Sequence, residues 1–207
     1  MVDQTRTARA STAASAPAFD GVALAGRRIA FLIAAEGAEQ SEMLRTWEAV
    51  TMAGGKPHLV CPQEGEAQLF EHLDRGRTMP VDRTLAQADP ADYDALVLPG
   101  GVANPDQLRT DAAAVTFAQA FFAAGKPVAA ICHAPWLLVE ADLVRDRTLT
   151  SWPSLHTDIA NAGGTWRDEE VVVCESGPNV LVTSRKPQDL QAFCATAVKR
   201  FADAAPR

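Results

Sequence analysis

The stretch Gly125-Lys-Pro-Val-Ala-Ala-Ile-Cys-His-Ala-Pro135 constrains this 207-residue chain more than any other. A short apolar run, residues 127–131, stops at Cys132, and a helix start follows at once. Pro135 falls where a first helical turn accepts proline, because an N–H there has no intrahelical partner to lose. The pattern predicts strand, tight turn and helix, with a cysteine at the turn. A side chain on such an elbow points out of the sheet edge from a strained backbone. The helix behind it presents unpaired N–H groups and a positive dipole end, which favour thiolate over thiol. Thiol pKa values near ~8.5 fall to roughly 3.5–7.5 in such surroundings, and Cys132 is expected to follow. His133, next along the chain, is a candidate base or ion-pair partner. A free cysteine can also simply end a core strand, since cysteine is among the most buried residue types. The choice needs a second element.

That element is Ala95-Leu-Val-Leu-Pro-Gly-Gly101, another buried-strand pattern, ending in the pair Gly100 and Gly101. Glycine at a strand's end lets backbone N–H groups approach a ligand closely. One edge with a cysteine and one with bare amides can supply a nucleophile and an oxyanion hole. In open α/β sheets the ligand crevice lies beyond the carboxyl ends of the strands, where both motifs fall. A third strand, residues 28–34, ends just before the acidic segment Glu36-Gly-Ala-Glu-Gln-Ser-Glu42 at the same edge.

From residue 28 onward, apolar strand patterns alternate with amphipathic ones. Met43, Trp47 and Val50 give a helical face that Gly54 and Gly55 terminate, and residues 56–60 read as the second strand. Residues 64–85 suggest a strand pair or hairpin. Residues 111–124 predict a helix, with Val115, Phe117, Phe121 and Phe122 as its apolar positions. Residues 148–151 follow as a strand and 153–162 as a helix. Residues 170–175 and 180–184 form a paired-strand unit, and residues 187–202 a last helix. This alternation argues a mostly parallel, helix-covered sheet.

The segments Gly37-Ala-Glu-Gln-Ser-Glu-Met43, Leu98-Pro-Gly-Gly-Val-Ala-Asn-Pro-Asp-Gln-Leu-Arg109, Ala130-Ile-Cys-His-Ala-Pro135, Thr150-Ser-Trp-Pro-Ser154 and Val182-Thr-Ser-Arg-Lys-Pro187 occur in one order. Together they resemble the ThiJ/PfpI superfamily, most of all its PfpI branch of intracellular cysteine peptidases and deglycases, over residues 26–201. The resemblance implies a flavodoxin-like three-layer sandwich with a mostly parallel central sheet, similar to class I glutamine amidotransferases. It also implies residue roles. Cys132 is the nucleophile and His133 its histidine. Glu39 is the carboxyl that hydrogen-bonds the sulfur, and Asp106 is the acid that orients the histidine, in some members across a subunit interface. The amides of Gly101 and His133 match the oxyanion positions beside Gly100, and Trp152 is an aromatic near the pocket. Ala134 departs from the glycine many members carry there, narrowing the space beside the elbow without removing a catalytic group.

The activities implied are peptide hydrolysis, removal of early glycation adducts, and glutathione-independent conversion of methylglyoxal to lactate. All begin with thiolate attack on a carbonyl. Dicarbonyl or adduct chemistry ranks above proteolysis, because no peptide groove is readable. The alternative is a non-enzymatic redox sensor or stress chaperone in which Cys132 is oxidised, with Glu39 steadying the product. Rival enzymes lack specific residues. A glutamine amidotransferase needs a downstream His-x-Glu, whereas the chain offers His156-Thr-Asp158. A flavin-phosphate loop after the first strand would have to tolerate Glu36 and Glu39, and no P-loop spacing follows Gly54.

Hydrophobic residues make up 47% and charged residues 22%, the balance of a globular domain, and the net charge of −7 argues against non-specific nucleic-acid or anionic-membrane binding. No apolar run reaches the ~20 residues of a membrane-spanning helix. Cys61, Cys132, Cys174 and Cys194 show no C-x-x-C or zinc spacing, so free thiols in a reducing, cytoplasmic compartment are expected. The substrate is expected to be a small carbonyl compound or a glycated or peptide chain. No metal or cofactor is expected, and a homodimer or higher homo-oligomer is. Residues 1–25, rich in Ala, Ser and Thr, read as a flexible tail before a single domain at 26–207.

Overall fold

The computed structural model describes residues 22–205. Its first half runs β1 (Arg28–Leu32), β2 (Glu36–Glu39), α1 (Gln40–Met52), β3 (Lys56–Cys61), β4 (Glu66–Glu71), β5 (Asp74–Pro80), β6 (Arg83–Thr84), β7 (Ala95–Leu98) and α2 (Ala103–Leu108). The second half adds α3 (Ala112–Ala123), β8 (Val128–Ile131), α4 (Pro135–Glu140), β9 (Thr148–Leu149), α5 (His156–Asn161), β10 (Thr165–Trp166), β11 (Val171–Cys174), β12 (Leu181–Ser184) and α6 (Leu190–Asp203).

Seven strands form the central sheet in the order β11-β12-β8-β7-β1-β3-β6. Every pairing is parallel except that of β11 with β12. Successive side chains of a strand point to opposite faces, so each central strand feeds two cores. Phe31, Val97 and Ile131 join Met43 and Val50 of α1 and Phe193 and Phe201 of α6 on one face. Leu32, Leu96 and Ala130 join Phe117 and Phe121 of α3, Leu137 of α4 and Ile159 of α5 on the other. Burial on both faces explains why these strands read as unbroken apolar runs rather than alternating ones. The flavodoxin-like three-layer sandwich is as expected.

From β1 the chain moves to β3 on one side, then crosses to β7 and β8 on the other. That reversal opens a crevice beyond the carboxyl ends of β1 and β7. Beside it stands a separate three-stranded sheet, in which β4 and β5 form the expected antiparallel hairpin. Residues 36–39 are not the loop their acidic composition suggests, because they pair in parallel with β4 as β2. Of the expected tail, residues 1–21 lie outside the described residues. Residues 22–25 already belong to the domain: Leu24 is fully buried and its N–H donates to the Ala53 carbonyl at 2.8 Å. Among the described residues, no helix is long and apolar enough to cross a membrane.

Candidate active site

Cys132 follows β8 directly and holds φ +63°, a left-handed conformation that a side chain with a Cβ adopts at a cost of about 1–3 kcal/mol. Three backbone hydrogen bonds fix it there. Its N–H donates to the Ser184 carbonyl at 3.0 Å, its carbonyl accepts from the Trp152 N–H at 2.8 Å, and the Ala134 N–H closes the turn on Ile131 at 3.0 Å. The neighbouring strand end approaches through glycine. A Cβ on Gly100 would lie 2.6 Å from that of Cys132 and 2.7 Å from Glu42 Oε2, so only glycine lets the two edges meet. The amides of Gly101 and His133, the positions the resemblance assigns to the oxyanion donors, lie close enough to the Cys132 sulfur to favour its charged form.

The carboxyl beside the sulfur is Glu42, not Glu39. Glu39 sits at the N-cap of α1, and its carboxylate accepts from Ser41 Oγ at 3.1 Å and from the His72 N–H at 3.1 Å. Glu42 lies one residue short of a turn further on, fully buried, with Oε2 accepting the Gly100 N–H at 2.7 Å and Oε1 left without a hydrogen-bond partner among the described residues. The carboxyl is close enough to the Cys132 thiol for each group to shift the other's pKa. The helical period carried the signal. Glu42, Thr46, Ala49 and Val50 share the buried face of α1, and an acid on an apolar stripe needs a partner inside. Matching the motif by its order of acids, without asking which one faces inward, selects Glu39 instead.

Burial raises the Glu42 carboxyl from 4.5 to about 8, outweighing the opposing pull of the Gly100 N–H and the Cys132 thiol. Glu42 is therefore protonated at neutral pH and can donate to the sulfur. The Cys132 thiol is not lowered as the elbow suggests. Burial pushes it up first, and charge on Glu42 pushes it further, while the Gly101 and His133 amides pull the other way. Desolvation beats the dipole of a six-residue helix, so the proton inventory belongs to the Cys132–Glu42 pair rather than to either group. Burial also pulls His133 from 6.5 to about 4, leaving a neutral imidazole at neutral pH and removing the ion-pair role. Its Nδ1 lies 3.2 Å from the sulfur and its Nε2 3.5 Å from Ser154 Oγ. The ring stacks on Trp152 at 5.5 Å and meets Trp136 at 5.3 Å.

A pocket of about 160 Å³ opens onto Cys132, walled by Glu39, His72, Val102 and Trp152. Trp152 is among its lining residues, and so are His72, Leu73 and Val102, which nothing in the sequence spacing marks. A larger cleft of about 530 Å³ beside Phe122 and Arg147 has no cysteine in its lining, so size alone does not mark the site. Asp106 is not brought to His133 within the chain. It is exposed on α2 and pairs with Arg109 at 3.1 Å, whose guanidinium lies over the Trp136 ring at 5.1 Å. Among the described residues, no group of three or more His, Cys, Asp or Glu side chains is placed to hold a metal ion.

A strained cysteine elbow at the carboxyl edge of a parallel sheet, facing two glycines across a topological switch, defines a flavodoxin-like α/β protein with a cysteine site. Within that class, the chain belongs to the DJ-1/PfpI family, whose model matches residues 27–200. It is 41% identical over 173 residues to protein/nucleic acid deglycase 2 of Escherichia coli, covering 84% of this chain and 96% of that one. It is 44% identical over 124 residues to a deglycase of Pyrococcus horikoshii, covering 60% and 72% of the two chains. A two-domain protein of Anabaena variabilis with DJ-1/ThiJ/PfpI-like and ferritin-like domains superposes with a TM-score of 0.77 at 32% identity, over 87% of this chain and 50% of that chain.

Proposed function

We propose that the protein is a cysteine-dependent hydrolase or lyase of the PfpI type, acting on small carbonyl compounds or the adducts they form, in stress protection. The observation that carries this reading is the buried Cys132–Glu42 pair beneath a pocket of about 160 Å³. A pocket that small takes a two- or three-carbon carbonyl and leaves no subsites for an extended peptide, which ranks deglycase or glyoxalase chemistry above proteolysis. When the pair loses its first proton, the remaining one is shared between sulfur and carboxyl. In the form with the proton on Glu42, Cys132 is a thiolate held by the Gly101 and His133 amides. Sγ then bonds to the carbonyl carbon, the C=O π pair moves to oxygen, and that oxygen accepts a proton from Glu42. The same amides can turn to the developing oxyanion, two bonds from the sulfur, and stabilise it with little reorganisation. The chemistry runs on protein groups in a cytoplasmic setting, with no metal or cofactor.

Turnover of methylglyoxal by wild type and Cys132→Ser tests the reading. The variant should lose at least about 10³-fold in kcat/KM, the scale seen when a nucleophile is removed. Retention of activity within tenfold of wild type would place the chemistry elsewhere.

Assembly is part of the same proposal. Because Asp106 pairs with Arg109 rather than with its own His133, an orienting role for it needs a second subunit. Asp106→Asn should leave unfolding within about 0.5 kcal/mol of wild type, as for other exposed changes, while turnover falls and the native mass stays at a dimer or above. A fully active monomer at nanomolar concentration would refute the shared site and leave Cys132 untouched as nucleophile.

A further inference from the structure

The tip of the β4–β5 hairpin has no part in the chemistry above, yet it is built with care. His72, between the two strands, holds φ +58°. Its N–H donates to Glu39 Oε2 at 3.1 Å, and its Nδ1 lies 3.8 Å from the same oxygen. Glu39 is rigid in turn: Ser41 Oγ holds its other oxygen at 3.1 Å, and its own N–H donates to the Gly100 carbonyl at 3.3 Å. A second groove, of about 380 Å³, lies on the far side of this contact, over the start of α1. Glu39, His72 and Pro187 line both the groove and the Cys132 pocket, so they are the partition between the two.

We infer that the Glu39–His72 contact is the wall that confines the Cys132 pocket to small carbonyl substrates, which makes His72 a specificity-determining residue. This rests on the carbonyl reading for the name of the substrate, but not for the geometry. With the wall in place, a substituent that leaves the pocket toward α1 meets the imidazole, whose side chain stands between pocket and groove and is otherwise 86% exposed. Without it, pocket and groove become one channel from Cys132 to α1, long enough for an aryl or peptide-borne carbonyl. The wall is removable at low cost, because glycine adopts a positive φ freely and His72→Gly relieves the left-handed strain.

Alkylation of Cys132, read by peptide mapping, tests the wall without requiring turnover. Iodoacetamide is the small probe and fluorescein-5-maleimide the bulky one. His72→Gly keeps the backbone N–H that binds Glu39 and removes only the imidazole, so the ratio of bulky to small labelling rates should rise about tenfold, the factor for about 1.4 kcal/mol of relieved steric block. A ratio unchanged from wild type, or rates that rise together, would overturn the inference. Buried Cys61, Cys174 and Cys194 report the fold. If they label, His72→Asn carries the same test, since Asn also tolerates the left-handed backbone. Turnover of phenylglyoxal relative to methylglyoxal should rise in step. No turnover of either, with the labelling ratio still raised, would overturn the catalytic reading and leave the wall standing.

Discussion

Glu42→Gln should lower methylglyoxal turnover by about 10²-fold or more, the usual scale for a positioned acid–base group. The amide keeps a donor toward the sulfur and an acceptor for the Gly100 N–H, but it has no proton to pass. Glu42→Asp, a methylene shorter, should lose at least as much, because it withdraws from both partners. Glu39→Gln should cost far less, since Glu39 reaches Ser41 and His72 rather than Cys132.

The same group should show in stability. Glu42 keeps its proton up to about 8 when folded but releases it near 4.5 when unfolded, so between those values the native state binds more protons and stability falls as pH rises. His133, at about 4 folded against 6.5 unfolded, has the opposite sign over its own window. The two slopes nearly cancel up to about 6.5, and from there to about 8 only the Glu42 slope remains, at most about 1.4 kcal/mol per pH unit. Denaturant titrations across that upper window should show the decline in wild type and lose it in Glu42→Gln. A decline that persists in the variant would assign it to another group.

Gly100→Ala is expected to damage the fold and the site together. The new carbon would fall 2.6 Å from the Cys132 Cβ and 2.8 Å from the Ile131 carbonyl oxygen, neither of which can swing aside. Overpacking of this kind costs about 1–3 kcal/mol, and relief by moving the β7 end would carry the Gly101 amide off the sulfur. Unfolding and turnover should therefore fail together. Gly26→Ala is the control, with φ +79° but nothing within 4 Å, so it should cost only the backbone strain, about 1–2 kcal/mol, and leave turnover intact. Equal turnover in the two variants would deny that the glycine edge positions the site.

The layers were legible because burial on both faces writes itself into β1, β7 and β8 as unbroken apolar runs. The elbow was legible because Ile131, Cys132 and Pro135 change strand into helix within five residues. Electrostatics were less so. Which acid of the pair 39 and 42 enters the core depends on where α1 begins, and the helix starts at Gln40, which turns Glu42 inward. The sign of the thiol shift depends on how much water the packed site excludes, which no local pattern encodes. The left-handed His72 and the strand at residues 36–39 were hidden for a related reason: both are imposed by pairing with β4 rather than by local propensity.

The most direct test of the account is the rate of Cys132 alkylation by iodoacetamide as a function of pH, residue by residue, in wild type and Glu42→Gln. Wild type should label Cys132 ahead of Cys61, Cys174 and Cys194, with a rate that breaks near the pH of about 8 at which the pair loses its first proton. In Glu42→Gln that break should vanish. Faster labelling of another cysteine, or the same break in the variant, would contradict the claim that Cys132 and Glu42 act as one proton-sharing nucleophile.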